Sequence, residues 1–508
     1  MPRVETKPPH AIAPAPAWAR ALTQNDHDRV SALFLRLFAL IHFAAFASFG
    51  VQALGLIGSG GILPLADYVG AAHRYFGARG FLEIPFLFWW VNSDRSIEIV
   101  VVLGLVASLV LLTGRLPRLT LATLYVLYLS VLYAGQRFMT YQWDILLVET
   151  TALALFLPGN ATIGIWLLRW LLFRFMFLSG AVKLLSGDPT WANLTALDYH
   201  YETQPLPTLL AWYAHLLPEA FNKGCVVMIF VIELLVPFLI FGPRIARFIA
   251  AGAFLLLEFL IVLTGNYNFF NLLTMLLCLS LLDDRALARC LPRALYERLA
   301  LPPPRLPGIK PVTSKVAAVA GAMLIAIGMV QLVGMFRGEI SGPVADVLRA
   351  VEPFRLVNTY GLFAVMTTER IEIAVEGSND GRTWIPYEFK YKPGDLKRAP
   401  GWMIPHQPRL DWQMWFAALG SAEENPWFDR FLTCLLQGSP AVTALLANNP
   451  FPDHPPRYVR ALTFRYHFSD AATRTATGQW WTRELTGMYT PPVQLGTELD
   501  DGRKPSPH

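Results

Sequence analysis

The chain has 508 residues, of which 54% are hydrophobic and 16% are charged. This balance is typical of membrane proteins, and the length exceeds one ordinary globular core. The net charge of +5 is small for the length, so no nucleic-acid partner is expected. The four cysteines, Cys225, Cys278, Cys290 and Cys434, form no CxxC spacing, which argues against disulfide exchange and against a metal site.

Apolar runs dominate the first two thirds of the chain. Residues 1–30 lack the apolar core of a signal peptide and are predicted as a disordered cytoplasmic tail. Nine runs then approach the length that crosses a bilayer as a helix: 32–57, 97–113, 117–135, 145–158, 163–185, 224–242, 245–264, 267–282 and 315–335. They predict a helical bundle over 31–283 and a last transmembrane helix over 315–336. The stretch from Phe81 to Trp90 is too short to cross and is predicted as an interfacial or re-entrant piece.

Basic residues orient these spans. They lie before the first span, at the second-to-third connection (Arg115 and Arg118), at the sixth-to-seventh connection (Arg244 and Arg247), and in the basic loop 284–314. With nine spans, all four positions fall on one side, which the positive-inside rule makes cytoplasmic. The central loop 186–223 and everything after the last span are therefore expected on the extracytoplasmic face.

The C-terminal part has a different pattern. Residues 370–375, 383–391 and 458–468 alternate as strands, and residues 412–419 and 428–447 are predicted as helices with a break at Pro440. The predicted fold class is an α-helical polytopic membrane protein of about nine transmembrane helices. A C-terminal extracytoplasmic β-rich, sandwich-like domain with helical insertions follows over 337–495. Residues 496–508 are predicted as a disordered tail.

Polar residues next to the apolar runs are the candidates for function. The segment 198–205 holds two acids, an imidazole and two phenols, so it cannot face lipid and must line a cavity or the membrane surface. His200 beside Glu202 could act as a general base or as a structural donor. Lys183 could reach the headgroups or serve as a base in a cavity. Glu149 is expected to pair with Arg137 or Arg174.

Several motifs resemble signatures of the lipase maturation factor family. They cover residues 137–144 with Glu149, 187–191, 198–205, 265–268, 358–363, 387–394, 408–415 and 449–451. The resemblance extends over residues 30–495. It implies a polytopic protein that, in animals, resides in the endoplasmic reticulum and helps certain secreted lipases reach their active form. The short Pro- and Ala-rich N-terminus suggests a bacterial plasma membrane here, and the endoplasmic reticulum membrane if the source is eukaryotic.

A second, shorter resemblance concerns residues 179–184, which are similar to a membrane segment of vitamin K-dependent gamma-glutamyl carboxylase. In that family a lysine of this run acts in catalysis. The carboxylase pattern has two adjacent lysines where this chain has Lys183 followed by Leu184.

Two hypotheses follow. In the first, the protein is a maturation factor without a cofactor that binds a secreted lipase-like client next to the lipid bilayer. Its binding or pocket candidates are Arg137, Gln142, Trp143, Asp144, Glu149, Asp198, Tyr199, Tyr201, Gln204, Asn266, Asn268, Arg409, Asp411 and Trp412. In the second, it is an enzyme that modifies a lipid-like or polypeptide substrate, with Lys183, His200 and Glu202 as catalytic candidates. Convergence of these groups on one cavity would favour the enzyme; their dispersal to separate pairs would favour the maturation factor.

Overall fold

A bundle of long helices forms the first two thirds of the computed structural model, which describes residues 27–299, 314–338 and 340–496. The nine bundle helices are α1 (Asp28–Gly50), α2 (Asp94–Leu112), α3 (Pro117–Ala134), α4 (Gln142–Ala154), α5 (Ala161–Leu185), α6 (Glu219–Phe241), α7 (Arg244–Thr264), α8 (Phe270–Leu281) and α9 (Ser314–Arg337). The predicted tails over 1–26 and 497–508, and residues 300–313 of the basic loop, lie outside the described residues.

Seven of these helices are long and apolar enough to cross a membrane. The other two, α4 and α8, match the predicted spans 145–158 and 267–282 but are shorter than a full crossing requires. Asp144 at the start of α4 lies beside the C-terminal domain. Pro158, just after α4, accepts a hydrogen bond from Arg118 at the opposite end of the bundle. The number of crossings therefore remains a prediction, although α4 connects the two ends.

The two ends of the bundle differ in chemistry. At one, Arg244 pairs with Asp283, and the backbone N–H of Arg29 donates to Asp284 at 3.1 Å. Helices Asp284–Cys290 and Arg293–Arg298 close this end. We call it the basic end. The other end contacts the C-terminal domain, and we call it the domain end.

Short helices cover the domain end. Their bounds are Ala53–Ile57, Leu65–Phe76, Gly80–Glu83, Pro189–Ala192, Ala196–Thr203 and Leu209–His215. The segment 198–205, expected as a loop, is therefore mostly helical. Helix α6 is irregular, since its α-helical part ends at Phe230 and is followed by a π-helical turn at Val231–Leu235 and a 3₁₀ stretch, Val236–Phe241. Pro237 accounts for part of this break because it cannot donate a backbone hydrogen bond.

The C-terminal domain has one antiparallel sheet in the order β2-β1-β3-β4. Its strands are β1 (Arg370–Ser378), β2 (Ile385–Tyr387), β3 (Tyr458–Phe468) and β4 (Trp481–Val493). Its helices are α10 (Pro343–Val351), α11 (Arg409–Ala417), α12 (Pro426–Leu436), α13 (Pro440–Thr443) and α14 (Ala471–Thr477). The face that carries Ile373, Val375, Val459 and Ala461 is fully buried and packs on α11 and α12.

The sheet differs from the expected sandwich, because the described residues form one sheet covered by helices and no second facing sheet. Strand β4 has no counterpart in the predicted strands. It lacks the alternating pattern of a half-buried strand, since the four consecutive residues Arg483 to Thr486 are all exposed. Pro491 and Pro492 near its end are tolerated because β4 is an edge strand.

Candidate functional site

The bundle and the C-terminal domain are joined by an ion pair between Asp144 and Arg409. Asp144 lies in the first turn of α4, and Arg409 begins α11. The guanidinium binds the carboxylate through two hydrogen bonds of 2.8 Å, and both side chains are completely buried. Tyr128 of α3 donates to the same carboxylate at 2.6 Å. Two parallel N–H···O bonds fix orientation as well as distance, so the pair sets the register of α11 on the bundle.

The turn before Arg409 is held by the domain ends of α1 and α7. The side chain of Gln52 accepts from the backbone N–H of Arg409 at 2.9 Å and donates to the carbonyl of Gln407 at 2.6 Å. Asn268 donates to the side-chain oxygen of Gln407 at 2.7 Å, and its φ of 50° is a conformation that asparagine tolerates better than most residues. Asn266 donates to the carbonyl of Gly401 at 2.8 Å. Both predicted asparagines therefore bind the C-terminal domain.

A second buried cluster surrounds Glu149 in α4. Arg174 of α5 pairs with one carboxylate oxygen, so Arg174 rather than Arg137 is its cation. The other oxygen accepts from the backbone N–H and the side chain of Asn358 at 2.9 and 2.8 Å, and from Tyr360 at 2.7 Å. The carboxylate is charge-balanced and fully hydrogen-bonded, as a buried ion must be.

Residues 353–363, which we call the junction segment, are irregular in backbone and lie among the bundle helices. Side chains of the bundle satisfy their backbone groups one by one. Five carbonyls each accept from one side chain: Pro353 from Tyr133, Phe354 from Tyr125, Val357 from Gln331, Asn358 from Arg174 and Phe363 from Trp191. Gln142 bonds both the N–H and the carbonyl of Gly361. Irregular backbone at membrane depth is tolerated only where protein buries it in this way.

The depth of the junction segment follows from the helices that it contacts. Glu149 lies seven residues into α4 and Gln331 lies six residues before the end of α9, which corresponds to about 10 and 9 Å at 1.5 Å per residue. These residues fall within the predicted domain 337–495, since they form no apolar run. In the structure, residues 357–361 lie between α4, α5 and α9.

Buried Lys183 and half-buried His200 lie in a third region. Lys183 donates to both carboxylate oxygens of Glu233 at 3.0 and 2.7 Å, and its ammonium lies 5.3 Å from the ring centroid of Trp191. It therefore does not reach the headgroups. His200 contacts the hydroxyl of Tyr267 at 3.3 Å. Burial, and then the nearby Lys183, lower the pKa of His200 to about 4, so its ring is neutral near pH 7.

Glu202 and His200 contact different parts of the protein. Its carboxylate accepts from the backbone N–H of Phe468 at 2.7 Å and from the ring of His467 at 2.9 Å. Arg370 donates to the carbonyls of Glu202, Gln204 and Pro205. A guanidinium on the last carbonyls of a helix compensates their unsatisfied acceptors. The segment 198–205 is thus bound to strands β1 and β3.

Most of the remaining predicted residues also take part in packing. Trp143 stacks on Tyr141 with ring centroids 4.4 Å apart and meets Trp412 edge-on at 4.8 Å. Asp411 accepts from two backbone N–H groups, and its burial raises its pKa. Asp198 accepts a hydrogen bond from Asn222, and Gln204 accepts one from Tyr267. Tyr201 is buried, whereas Arg137 and Tyr199 are exposed and do not take part in this packing.

The acid and base candidates are therefore dispersed. Four of them are each paired with a different side chain: Asp144 with Arg409, Glu149 with Arg174, Lys183 with Glu233 and Glu202 with His467. Gln52, Tyr128 and Arg370 complete the clusters, and no recognisable spacing in the sequence points to them. Glu233 is recognisable as an acid within an apolar span that should pair or be protonated, but the sequence does not identify Lys183 as its partner.

These features define a polytopic membrane protein whose C-terminal domain is fixed to its bundle by buried polar contacts. Family models agree with this division. The lipase maturation factor transmembrane domain matches residues 29–289, and the lipase maturation factor C-terminal domain matches residues 356–491. The chain belongs to the lipase maturation factor family.

Individual relatives cover most of the chain. Lipase maturation factor 2 of Gallus gallus is 36% identical over 92% of this chain and 82% of its own length. The Homo sapiens lipase maturation factor 2 is 35% identical over 91% and 82%. Lipase maturation factor 1 of Bos taurus is 33% identical over 91% and 88%. No solved structure matches the chain.

Proposed function

We propose that this protein acts as a maturation factor that binds a secreted lipase-like client on the extracytoplasmic face without a chemical step. The observation that carries the proposal is the dispersal of the reactive groups. Asp144, Glu149, Lys183 and Glu202 are each engaged in a separate structural contact. Those of Asp144, Glu149 and Glu202 hold the C-terminal domain on the bundle, whereas Lys183 joins two bundle helices. A rigid surface beside the bilayer suits recognition of an incompletely assembled, lipid-seeking polypeptide.

The proposed orientation rests on charge. Arg29, Arg118 and Arg244 lie at the basic end, and the positive-inside rule assigns such an end to the cytoplasm. The domain end then faces the periplasm or the lumen, where an exported client folds. In a bacterium this membrane is the plasma membrane.

We place client contact on side chains that remain available. Among the predicted candidates these are Arg137 and Tyr199, since most of the others are buried in the junction. Tyr213 and Phe221, which follow in the same central loop region, are 48% and 53% exposed. Exposed aromatic groups of this kind commonly form the main contacts of protein interfaces.

The test is coexpression of a secreted lipase with variants of the full chain, followed by measurement of lipase activity per mass of lipase secreted. Y199A combined with F221A should reduce client maturation while leaving the level of the membrane protein unchanged. Loss of the membrane protein itself would point to a folding defect, and full activity would contradict the assigned surface.

The Lys183–Glu233 pair separates binding from catalysis. K183M alone leaves a buried carboxylate without its cation and should lower the level of folded protein. The matched double variant K183M/E233L removes both charges and should restore folding. Restored client maturation in the double variant supports a non-covalent role, whereas a well-folded but inactive double variant would support the enzyme hypothesis.

A further inference from the structure

Helix α10 has an apolar stripe that the described protein covers only in part. Val344, Val347, Leu348 and Val351 follow the i, i+3, i+4, i+7 spacing of one helical face. No residue of this helix is buried, and Val344 and Val347 are 47% and 54% exposed. The opposite face carries Asp346 and Arg349, which pair at 2.6 Å. The helix is thus amphipathic, and its apolar stripe is exposed at Val344 and Val347 and half-buried at Leu348 and Val351.

Both ends of α10 are held at the domain end of the bundle. Before the helix, Ile340 packs so closely on the last turns of α9 that a Cβ on Gly334 would come within 2.5 Å of it. After the helix, the carbonyl of Pro353 accepts from Tyr133, one residue before the end of α3. The helix therefore runs across the bundle at the level where α9 and α3 end.

A neighbouring segment has the same character at the same level. The backbone N–H of Leu87 donates to Ser130, four residues before the end of α3, at 3.0 Å. This segment exposes Leu82 and Trp90 by 65% and 70%, and tryptophan favours the boundary between lipid and water.

We propose that α10 lies in the membrane interface of the leaflet at the domain end, with its apolar stripe among the acyl chains and its Asp346–Arg349 face among the headgroups. Lipid is the occupant that the structure favours, because α10 follows the last membrane helix by five residues and both its ends are held at the level where the membrane helices end. A short amphipathic helix in this setting typically buries its apolar face about 5–10 Å into the interface.

The anchoring has a consequence for the domain. The junction segment begins two residues after the end of α10 at Val351. The start of the C-terminal domain is therefore held at the bilayer twice, by α10 on the lipid and by the junction segment among the bundle helices. The domain then stands at a fixed height above the lipid. This inference concerns lipid contact and stands independently of the proposed function.

The test uses the full chain in lipid nanodiscs, without a client. Exposed Cys290 and half-buried Cys225 are first replaced by serine to remove competing thiols. Single variants V347C and R349C are labelled with the environment-sensitive dye NBD and exposed to lipids that carry a spin label near the top of the acyl chain. R349C is the matched control because it lies on the opposite face of the same helix, and its surface ion pair contributes little to folding.

We expect lipid spin labels to quench the dye at position 347 at least about twofold more than at position 349, with iodide in the water showing the reverse order. Equal quenching by iodide at the two positions would overturn the proposal. So would a dye at position 347 that becomes protected only after a purified secreted lipase is added to the nanodiscs, which would identify a protein-binding surface instead.

Discussion

The Asp144–Arg409 pair permits a quantitative prediction about the junction. R409M leaves the Asp144 carboxylate completely buried with only Tyr128 as a partner. Removal of one member of a buried ion pair costs about 3–5 kcal/mol, because the remaining charge has lost its compensation. D144N should also destabilise the protein, since it leaves the guanidinium buried without a carboxylate. We expect each single variant to lower the free energy of unfolding by a large fraction of the total.

The double variant R409M/D144N should be less destabilised than the sum of the two single variants, with a coupling energy of at least about 2 kcal/mol. Urea unfolding of the detergent-solubilised protein, followed by tryptophan fluorescence, measures all three values. A matched control is the Arg430–Asp67 pair, which also joins the two parts of the molecule but has side chains that are 57% and 65% exposed. R430M should cost about 0–1 kcal/mol. Additive effects at the buried pair, or equal losses at both pairs, would refute the assigned role.

Two further predictions concern packing and pH. A Cβ at Gly180 would lie 2.8 Å from the Cβ of Glu233, so G180A should lower the thermal midpoint by the equivalent of about 1–3 kcal/mol. The control is G252A, whose added Cβ would meet nothing within 4 Å and should leave the midpoint unchanged. Equal midpoints for the two variants would contradict this packing. Burial first, and then nearby cations, lower the pKa of His406 from 6.5 to about 4. As the pH is lowered, the unfolded chain therefore binds a proton at a higher pH than the folded chain does. The free energy of unfolding should decrease as the pH is lowered from about 6.5 to 4. H406Q should reduce this slope, and an unchanged slope would rule out His406 as a source.

Hydropathy could predict the bundle because lipid requires long apolar helices. All nine predicted runs correspond to helices, and the shortest predicted run, 145–158, is one of the two short helices. The pairing of Glu149 with Arg174 was also among the expected alternatives, since a buried acid within a bundle needs a cation. Strands β1 to β3 were located by alternation and turn residues.

The partners across the junction could not be predicted in the same way. Asp144 and Arg409 are 265 residues apart, and neither local spacing nor periodicity connects them. The position of the junction segment among the helices could not be predicted for a related reason. It depends on hydrogen bonds to its backbone from distant side chains, such as those of Tyr125, Gln142 and Gln331.

The separation of these partners along the chain also bears on how the protein is made. Gln52 cannot form its hydrogen bond with Arg409 until that residue is translated, 357 residues later. At about 5–20 residues per second, the ribosome needs on the order of tens of seconds to supply it. During that interval Asp144 lacks its cation, whereas Glu149 already has Arg174, which is only 25 residues away in the chain. Biogenesis of this molecule therefore ends with a late closure step, and a chain truncated before Arg409 should be a substrate for membrane quality control.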